Sequence, residues 1–324
     1  MLSNQIIKNI TSQISLVGDL SDDVLIEFCI IANQRYRIGS PIISDEDYDF
    51  IFLHELAKRL PNHPFLKKVE DEIEGFSEEK IKLPQKMLST DKAYSWEEVN
   101  KWLERVTKFS SDINYLLADI QIKGTAKLDG FAGYDDGNKL YTRGDGNKGS
   151  DISRVFERGL GVFNNSERGQ GPGEIVVKRS YFEKYLSNHF EYPRNFQASL
   201  IKEKELDKLA IDAIRAKAAL FVPFNQLPHW LGDIDEFKKQ FLDIVSQLEG
   251  GVDFDIDGVV FEIVNPELKK HMGSNRKFHR WQIAFKENKE KAQVKVLSIT
   301  AQVGRTGKIT PVAELEPTQL SGAT

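Results

Sequence analysis

The 324-residue sequence holds one cysteine, Cys29. A lone thiol excludes an internal disulfide and any zinc cluster built on several cysteines. It fits a reducing compartment, so a cytoplasmic location is expected. Cys29 lies in the apolar run VLIEFCIIA and reads as core. No run of about 18 apolar residues occurs, so no membrane span is expected. The start, MLSNQIIKNITSQ, lacks the basic stretch followed by an apolar block that marks a secretion signal. Positive charge is not in surplus: 44 Lys and Arg stand against 49 Asp and Glu, a formal net charge of -5. Non-specific grip on nucleic acid comes mainly from phosphate neutralisation, so the surface as a whole is a poor polyanion binder, while a local basic cleft remains open. Internal repeats and low-complexity tracts are also missing. What is present is ordinary for a soluble globular chain: 40% apolar and 29% charged residues, and length enough for two domains with sizeable cores.

From Ser3 to about Lys68 the apolar spacing predicts helices, notably in DDVLIEFCIIANQRY. Ser44 is placed to open a further helix, DEDYDFIFLHELAKRL, with acids in its first turn, Lys58 and Arg59 in its last, and Pro61 and Pro64 beyond. The charged stretch KKVEDEIEGFSEEKIK reads as a linker or a solvated helix. SWEEVNKWLERVTKF begins with a capping-box pattern, Ser95 to Glu98. From Tyr115 the period becomes two, and YLLADIQIKGTAKLDGFAGYDDGNKLYTRGDG predicts strands joined by turns, with a hairpin at Asp136-Gly137. GEIVVKRSYFEKYLSNHF predicts a strand running into a helix, IKEKELDKLAIDAIRAKAA a helix, and AALFVPFNQL, FDIDGVVFEIV, RWQIAFKE and KVLSITAQVGRTGKITPVAELEP strands, the last with turns at Gly304 and Gly307. The expected fold class is α+β: a small N-terminal helical domain, then a domain built on antiparallel sheets. The final two or so strands cannot make a stable sheet alone and would leave open edges, so they are expected to add to the preceding domain or to be completed by another polypeptide.

Four stretches qualify for chemistry. In AKLDG, Lys127 is a candidate nucleophile, Asp129 a residue that could orient it, and Gly130 a point of close backbone approach. An exposed hairpin lysine is the bland reading. In YTRGDGNKGSD, two glycines and a basic residue suit a phosphate or a nucleotide ring, or simply a tight turn. Acids at the strand ends of GEIVV and DIDGVVFE suit ribose hydroxyls or a divalent metal, or face solvent. Lys286 in WQIAFKE alternates with apolar residues and by itself reads as an outward lysine. Together these groups suit attack by an amine on phosphorus, with cationic groups stabilising the charge that develops.

The order AKLDG, TRGDG, GEIVV, YPRN, DFDIDGVV, RWQIAFK, QVGRTGKITPVAELEP, with PIISDEDYD and KMLSTDKAYS ahead of it, resembles that of NAD-dependent DNA ligases from about Gln34 to the end of the chain. The DEDYD element and QVGRTGKITPVAELEP are specific to the NAD-using branch; the lysine motif is shared with ATP-dependent ligases and capping enzymes. The resemblance implies residues 1–72 as a helical domain for the nicotinamide mononucleotide half of NAD, 73–291 as a nucleotidyltransferase (adenylation) domain and 292–324 as the first strands of an OB-fold. It implies that Lys127 attacks the α-phosphate of NAD, expels nicotinamide mononucleotide and carries AMP to the 5′-phosphate of nicked double-stranded DNA, with magnesium (Mg2+) assisting, in DNA replication and repair. It further implies that Asp129 orients Lys127, Glu174 holds the ribose, Arg143 and Arg194 line the nucleotide site, Asp257 assists lysine ionisation or metal and Lys286 contacts the α-phosphate. Asp45, Tyr48 and Asp49 would hold the nicotinamide mononucleotide half, and Tyr36, Ser89, Thr90, Thr125 and Gly130 complete the expected cofactor contacts. No residue is assigned as a direct metal ligand.

The departures are specific. The family has Glu at Thr125, where it reads the adenine amino group, Arg at Pro172, a Tyr-His pair at Arg35 and Tyr36, Arg near Ile201 and Glu249, and Lys at Glu262. An acid in place of a phosphate-facing lysine reverses a local charge, with Lys178 or Lys202 as expected compensation. Family members continue through the rest of the OB-fold into a zinc module, helix-hairpin-helix repeats and a BRCT domain. The chain is therefore expected to self-adenylate better than it seals, as a cut-down adenylation module or as one subunit of a split ligase whose partner docks on the open OB strands. The alternatives are a catalytically weak paralogue that binds NAD or a partner without sealing DNA, and a lysine-adenylating transferase that uses ATP.

Overall fold

The computed structural model describes residues 2–37, 41–44, 47–67, 80–203, 205–287, 294–303 and 309–316. The chain divides into two compact units, Met1–Asn33 with Ile42–His63 and Asn288–Thr324, and Gln34–Pro41 with Pro64–Glu287.

In the first unit, Ser3 caps the helix Asn4–Ser12 by accepting from Ile6 N at 3.3 Å. The predicted DDVLIEFC helix runs over Asp22–Arg37 and buries Leu25, Phe28 and Cys29. Ser44 caps as expected, its Oγ accepting from Asp47 N at 3.0 Å. A single wide turn, Tyr48–Phe52, leads into Leu53–Arg59. Phe52 meets Phe28 with ring centroids 4.4 Å apart. Burial pushes the Cys29 thiol up to about 12, as expected of an inert core cysteine. The described strands near the C-terminus, Val296–Val303 and Ile309–Leu315, pair antiparallel. The turn predicted at Gly304 and Gly307, and most of the charged stretch after Lys67, lie outside the described residues.

The second unit carries the strands β1 (Ile81–Lys82), β2 (Lys92–Ala93), β3 (Gln121–Leu128), β4 (Phe131–Asp135), β5 (Leu140–Thr142), β6 (Lys148–Gly149), β7 (Gly161–Val162), β8 (Gly171–Val177), β9 (Ala219–Pro223), β10 (His229–Asp233), β11 (Ile256–Ile263) and β12 (Gln282–Phe285). They form two five-stranded sheets, ordered β10-β3-β11-β12-β2 and β5-β4-β8-β9-β7, mostly antiparallel, and the small pair β1-β6. This is the α+β, antiparallel-rich architecture expected from the sequence.

The first sheet is covered by two long helices. Trp96–Asp112 buries Val99, Trp102, Leu103 and Val106, one helical stripe. Its capping box is displaced by a residue: Ser95 Oγ takes Glu98 N at 3.3 Å, but Glu98 returns to Tyr94 N at 2.6 Å. The other helix, Ile234–Gly250, is absent from the sequence-based expectations. It places Phe237 and Phe241 against Phe261 and Phe285. The second sheet rests on Pro193–Lys202 and Lys208–Arg215. The single helix predicted over IKEKELDKLAIDAIRAKAA is broken, because Asp207 caps a new start by taking Ala210 N at 2.8 Å. A third cluster, including Ala126 and Leu128 of β3 and Val176, Leu220 and Val222 of β8 and β9, is shared by the two sheets. β3 lies in one sheet and β4 in the other, so the residues joining them sit where the chain crosses between sheets.

Candidate active site

That crossing is Asp129-Gly130. β3 alternates strictly, burying Ile122, Gly124, Ala126 and Leu128 and turning Gln121, Lys123, Thr125 and Lys127 to its other face. Lys127 Nζ donates to both oxygens of Asp257, at 2.7 and 2.8 Å. Lys286, which follows β12, brings its Nζ to Asp257 Oδ2 at 2.9 Å. The side chains are 25%, 11% and 7% exposed for Lys127, Asp257 and Lys286. An irregular step at Asp257-Gly258 lets Asp257 reach both lysines. β11 is irregular against β3 between Ile256 and Val259, and Gly258 holds φ +130° with its Cα against the Phe285 carbonyl, where a Cβ would clash. Burial pushes the Asp257 carboxyl up, but the charges and hydrogen bonds of Lys127 and Lys286 outweigh it and hold the group below its ordinary range.

Glu174 sits on β8, opposite Ala132 and Val222. It too is buried, and burial wins there: its carboxyl is pushed up to about 8 against the opposing charges of Lys127, Arg194 and Arg143, with Asp129 adding to the rise. No hydrogen bond reaches its carboxyl from the described residues. Beside it, Gly130 packs against the Ile175 carbonyl so closely that a Cβ would clash.

Asp129 does not meet its expected partner: Lys127 hydrogen-bonds to Asp257, and Asp129 Oδ1 accepts from Tyr36 Oη at 2.8 Å and from Arg194 at 3.2 Å. Asp129 lies past the end of β3 in the crossing turn, so it turns toward the helix Pro193–Lys202 instead of lying along the strand face with Lys127. Its backbone N donates to Asp255 O at 2.9 Å, and its carbonyl accepts from Gln197 Nε2 at 3.3 Å. Gln197 is fully buried, and its Oε1 takes no hydrogen bond from the described residues. Gln197 and Asp255 were not among the residues named from the sequence. The signals were there: Gln197 follows Arg194 by one helical turn, and Asp255 alternates with Asp257 in DFDIDG.

The remaining expected residues fall in three places. Arg143 follows β5, close enough to Glu174 to act on its charge. Ser89 bridges to Phe278 and donates its N to Lys277 O at 3.0 Å, with Thr90 next to it; neither hydrogen-bonds to Lys127, Asp257 or Lys286. Thr125 faces the same side of β3 as Lys127 and pairs with His229 and Val260. In the first unit, Asp49 is buried and Tyr48 Oη donates to Cys29 O at 3.4 Å. Asp45 lies outside the described residues. Glu262 stands opposite Lys123 on β3 and is held by Lys269 at 3.5 Å and Gln282 at 3.1 Å. Of the two lysines expected to compensate for the missing charge, Lys178 bridges to Phe254, and Lys202 ends the helix whose last carbonyls accept from Arg154. Among the described residues no group of three or more His, Cys, Asp or Glu side chains could hold a metal ion, and no helix is long and apolar enough to cross a membrane.

Two mostly antiparallel sheets meeting at a carboxylate-held lysine make the frame of a nucleotidyltransferase adenylation domain. Residues 76–205 match the NAD-dependent DNA ligase adenylation domain, and residues 293–324 match the NAD-dependent DNA ligase OB-fold domain. A protein named DNA ligase from Ruthia magnifica subsp. Calyptogena magnifica is 64% identical over 308 residues, 95% of this chain and 50% of its own length. One of the same name from Vesicomyosocius okutanii subsp. Calyptogena okutanii (strain HA) is 63% identical over 324 residues, 100% of this chain and 51% of its own. A third, from Shewanella baltica (strain OS155 / ATCC BAA-1091), is 50% identical over 307 residues, 95% and 47%. The chain belongs to the NAD-dependent DNA ligase family, and it spans about half the length of the curated relatives it matches.

Proposed function

We propose that this chain is the adenylation part of an NAD-dependent DNA ligase, with Lys127 as the residue that carries AMP. The observation that carries the reading is the pair of lysines on one buried carboxylate, Lys127 and Lys286 on Asp257. The Lys127 amine gives up a proton to solvent and forms an N–P bond at the α-phosphorus of NAD. The bond from that phosphorus to the bridging oxygen breaks, and nicotinamide mononucleotide leaves with the electron pair. Asp257 is held too far toward its charged form to store the proton, so its part is to aim the amine. Lys286 supports charge on the α-phosphate as it develops, a contribution worth several kcal/mol in a dry site. AMP then passes to the 5′-phosphate of nicked double-stranded DNA, and the 3′-hydroxyl displaces it.

NAD suits the residues present. Glu174, protonated over much of the neutral range, offers a hydrogen-bonding group to a ribose, and Gly130 leaves the backbone open beside it. Arg143 and Arg194 are assigned to the phosphates and Thr125, Ser89 and Thr90 to the adenosine; in the first unit, Asp45, Tyr48 and Asp49 are assigned to the nicotinamide mononucleotide half. Magnesium has no set of ligands among the described residues, and no step is assigned to it. Incubating the chain with magnesium and NAD labelled in its AMP half should leave label that survives denaturation. Lys127→Ala should take none, and labelled ATP should give none. Label from ATP but not from NAD would move the chain to another class of transferase. A second reading, a relative that binds NAD without sealing DNA, rests on the acid at Glu262. It predicts NAD binding with no label and no sealed nick.

A further inference from the structure

The region around Asp129 contains an arrangement for which the proposed reaction gives Tyr36 no step. Tyr36 belongs to the 34–41 segment that forms part of the second unit. Its hydroxyl donates to Asp129 Oδ1 at 2.8 Å, and its carbonyl accepts from Arg194 Nε at 3.0 Å. Its ring lies under the Arg194 guanidinium, 3.8 Å from Cζ to the ring centroid, with Phe131 beneath the same group at 4.7 Å. Arg194 NH1 closes the ring of contacts onto Asp129 Oδ1, at 3.2 Å, and onto the Gly130 carbonyl. One tyrosine thus holds an aspartate by its hydroxyl, and an arginine by both its ring and its carbonyl. Asp129 Oδ1 takes two donors, while Oδ2 receives no hydrogen bond from the described residues.

We propose that Tyr36 is a positioning residue, acting through Asp129 and Arg194 to set the turn that follows Lys127. The proposal rests on the adenylation reading above. A guanidinium held by two rings and by hydrogen bonds to the Tyr36 carbonyl and Asp129 loses little further freedom when it meets an anion. A carboxylate with one oxygen pinned presents the other in a fixed direction. Both groups flank the Lys127–Gly130 turn, so an error in their placement is an error in the approach of the α-phosphate to the amine, which rates feel strongly. The effect belongs to the rate of bond formation at saturating NAD. A direct contact between Tyr36 and the cofactor would instead appear in the NAD concentration needed.

The test is single-turnover attachment of AMP to the full chain, over a range of NAD concentrations, for wild type, Tyr36→Phe and Tyr36→Leu. Tyr36→Phe keeps the stacked ring and loses the hydroxyl. It should slow attachment about tenfold at saturating NAD, the scale of one hydrogen bond to a charged group, with half-saturation within about twofold of wild type. Tyr36→Leu, which also loses the stacking, should be slower still. The same change made in an Asp129→Asn background separates positioning from general weakening. If Tyr36 acts through Asp129, Tyr36→Phe should then cost less than threefold. The proposal is overturned if the two changes are additive, if half-saturation rises while the saturated rate holds, or if Tyr36→Phe matches wild type. A wild-type chain that takes no label overturns the adenylation reading and this proposal together, whereas a labelled wild type with an unaffected Tyr36→Phe overturns this proposal alone.

Discussion

Asp257 and Glu174 flank one lysine from two different sheets, and their carboxyl groups are driven in opposite directions. Asp257, at the β11 irregularity, is held below its ordinary 3.8, because two ammonium groups touch it. Glu174, on β8, rises from 4.5 to about 8, because burial outweighs cations that act from a distance, and no donor among the described residues bonds it. Burial is common to both, so direct partners decide the protonation state. The difference assigns roles as well. A carboxylate kept charged aims an amine and a phosphate-facing lysine, and a carboxyl kept neutral hydrogen-bonds to hydroxyls without repelling phosphate.

Replacing the charged member should have the largest effect. Asp257→Asn leaves two lysines facing a neutral amide in a nearly dry site. Attachment of AMP to Lys127 is expected to fall by about a thousandfold or more, and stability by about 3–5 kcal/mol, measured by labelling and by urea unfolding. In the wild type, the stability that Asp257 provides should be present at neutral pH and drain away as the pH falls below 3.8, since its folded form titrates lower than its unfolded form.

The neutral member predicts the reverse slope. Glu174 releases its proton near 4.5 when unfolded and near 8 when folded. Between those values the folded chain binds the extra proton, so stability should fall as pH rises through the window and level off above it. At about 1.4 kcal/mol per unit the full span is on the order of 3–5 kcal/mol. Glu174→Gln should flatten that slope, making the variant less pH-sensitive than wild type in urea unfolding between pH 5 and 8.5. An unchanged slope would show that Glu174 ionises normally.

Glu262 should give the smallest effect. It is paired with Lys269 and Gln282, and both members of the ion pair are partly solvated. Glu262→Gln is expected to shift stability by less than about 1 kcal/mol and AMP attachment by less than about threefold. A tenfold gain would mean that its charge opposes the phosphate after all.

The sequence made the local features legible. Ser44, Ser95 and the Asp136-Gly137 hairpin act through neighbours a few residues away, and Gly137 has the φ of +94° that such a turn needs. Period-two patterning in QIKGTAKL put Lys127 on the face opposite the core. The partner of Lys127 was not legible in the same way: Asp257 lies 130 residues along the chain, and only the β3–β11 pairing brings it near, whereas Asp129 looked closer on paper. Likewise Lys269 reaches Glu262 because the short helix Pro266–Met272 follows β11 and brings it back beside the strand's end. The helix Ile234–Gly250 is amphipathic, with Phe237, Phe241, Ile244, Val245 and Leu248 inside, so its absence from the expectations is a missed helical period.

The central claim is that Lys127 is the amine that bonds to AMP. It is tested most directly by incubating the chain with NAD and magnesium, digesting it, and locating the adduct by peptide mass spectrometry. The account predicts one AMP on the peptide containing Lys127, absent from Lys127→Ala. AMP on Lys286 or another residue, or an unmodified Lys127 peptide under conditions where the chain binds NAD, would contradict it.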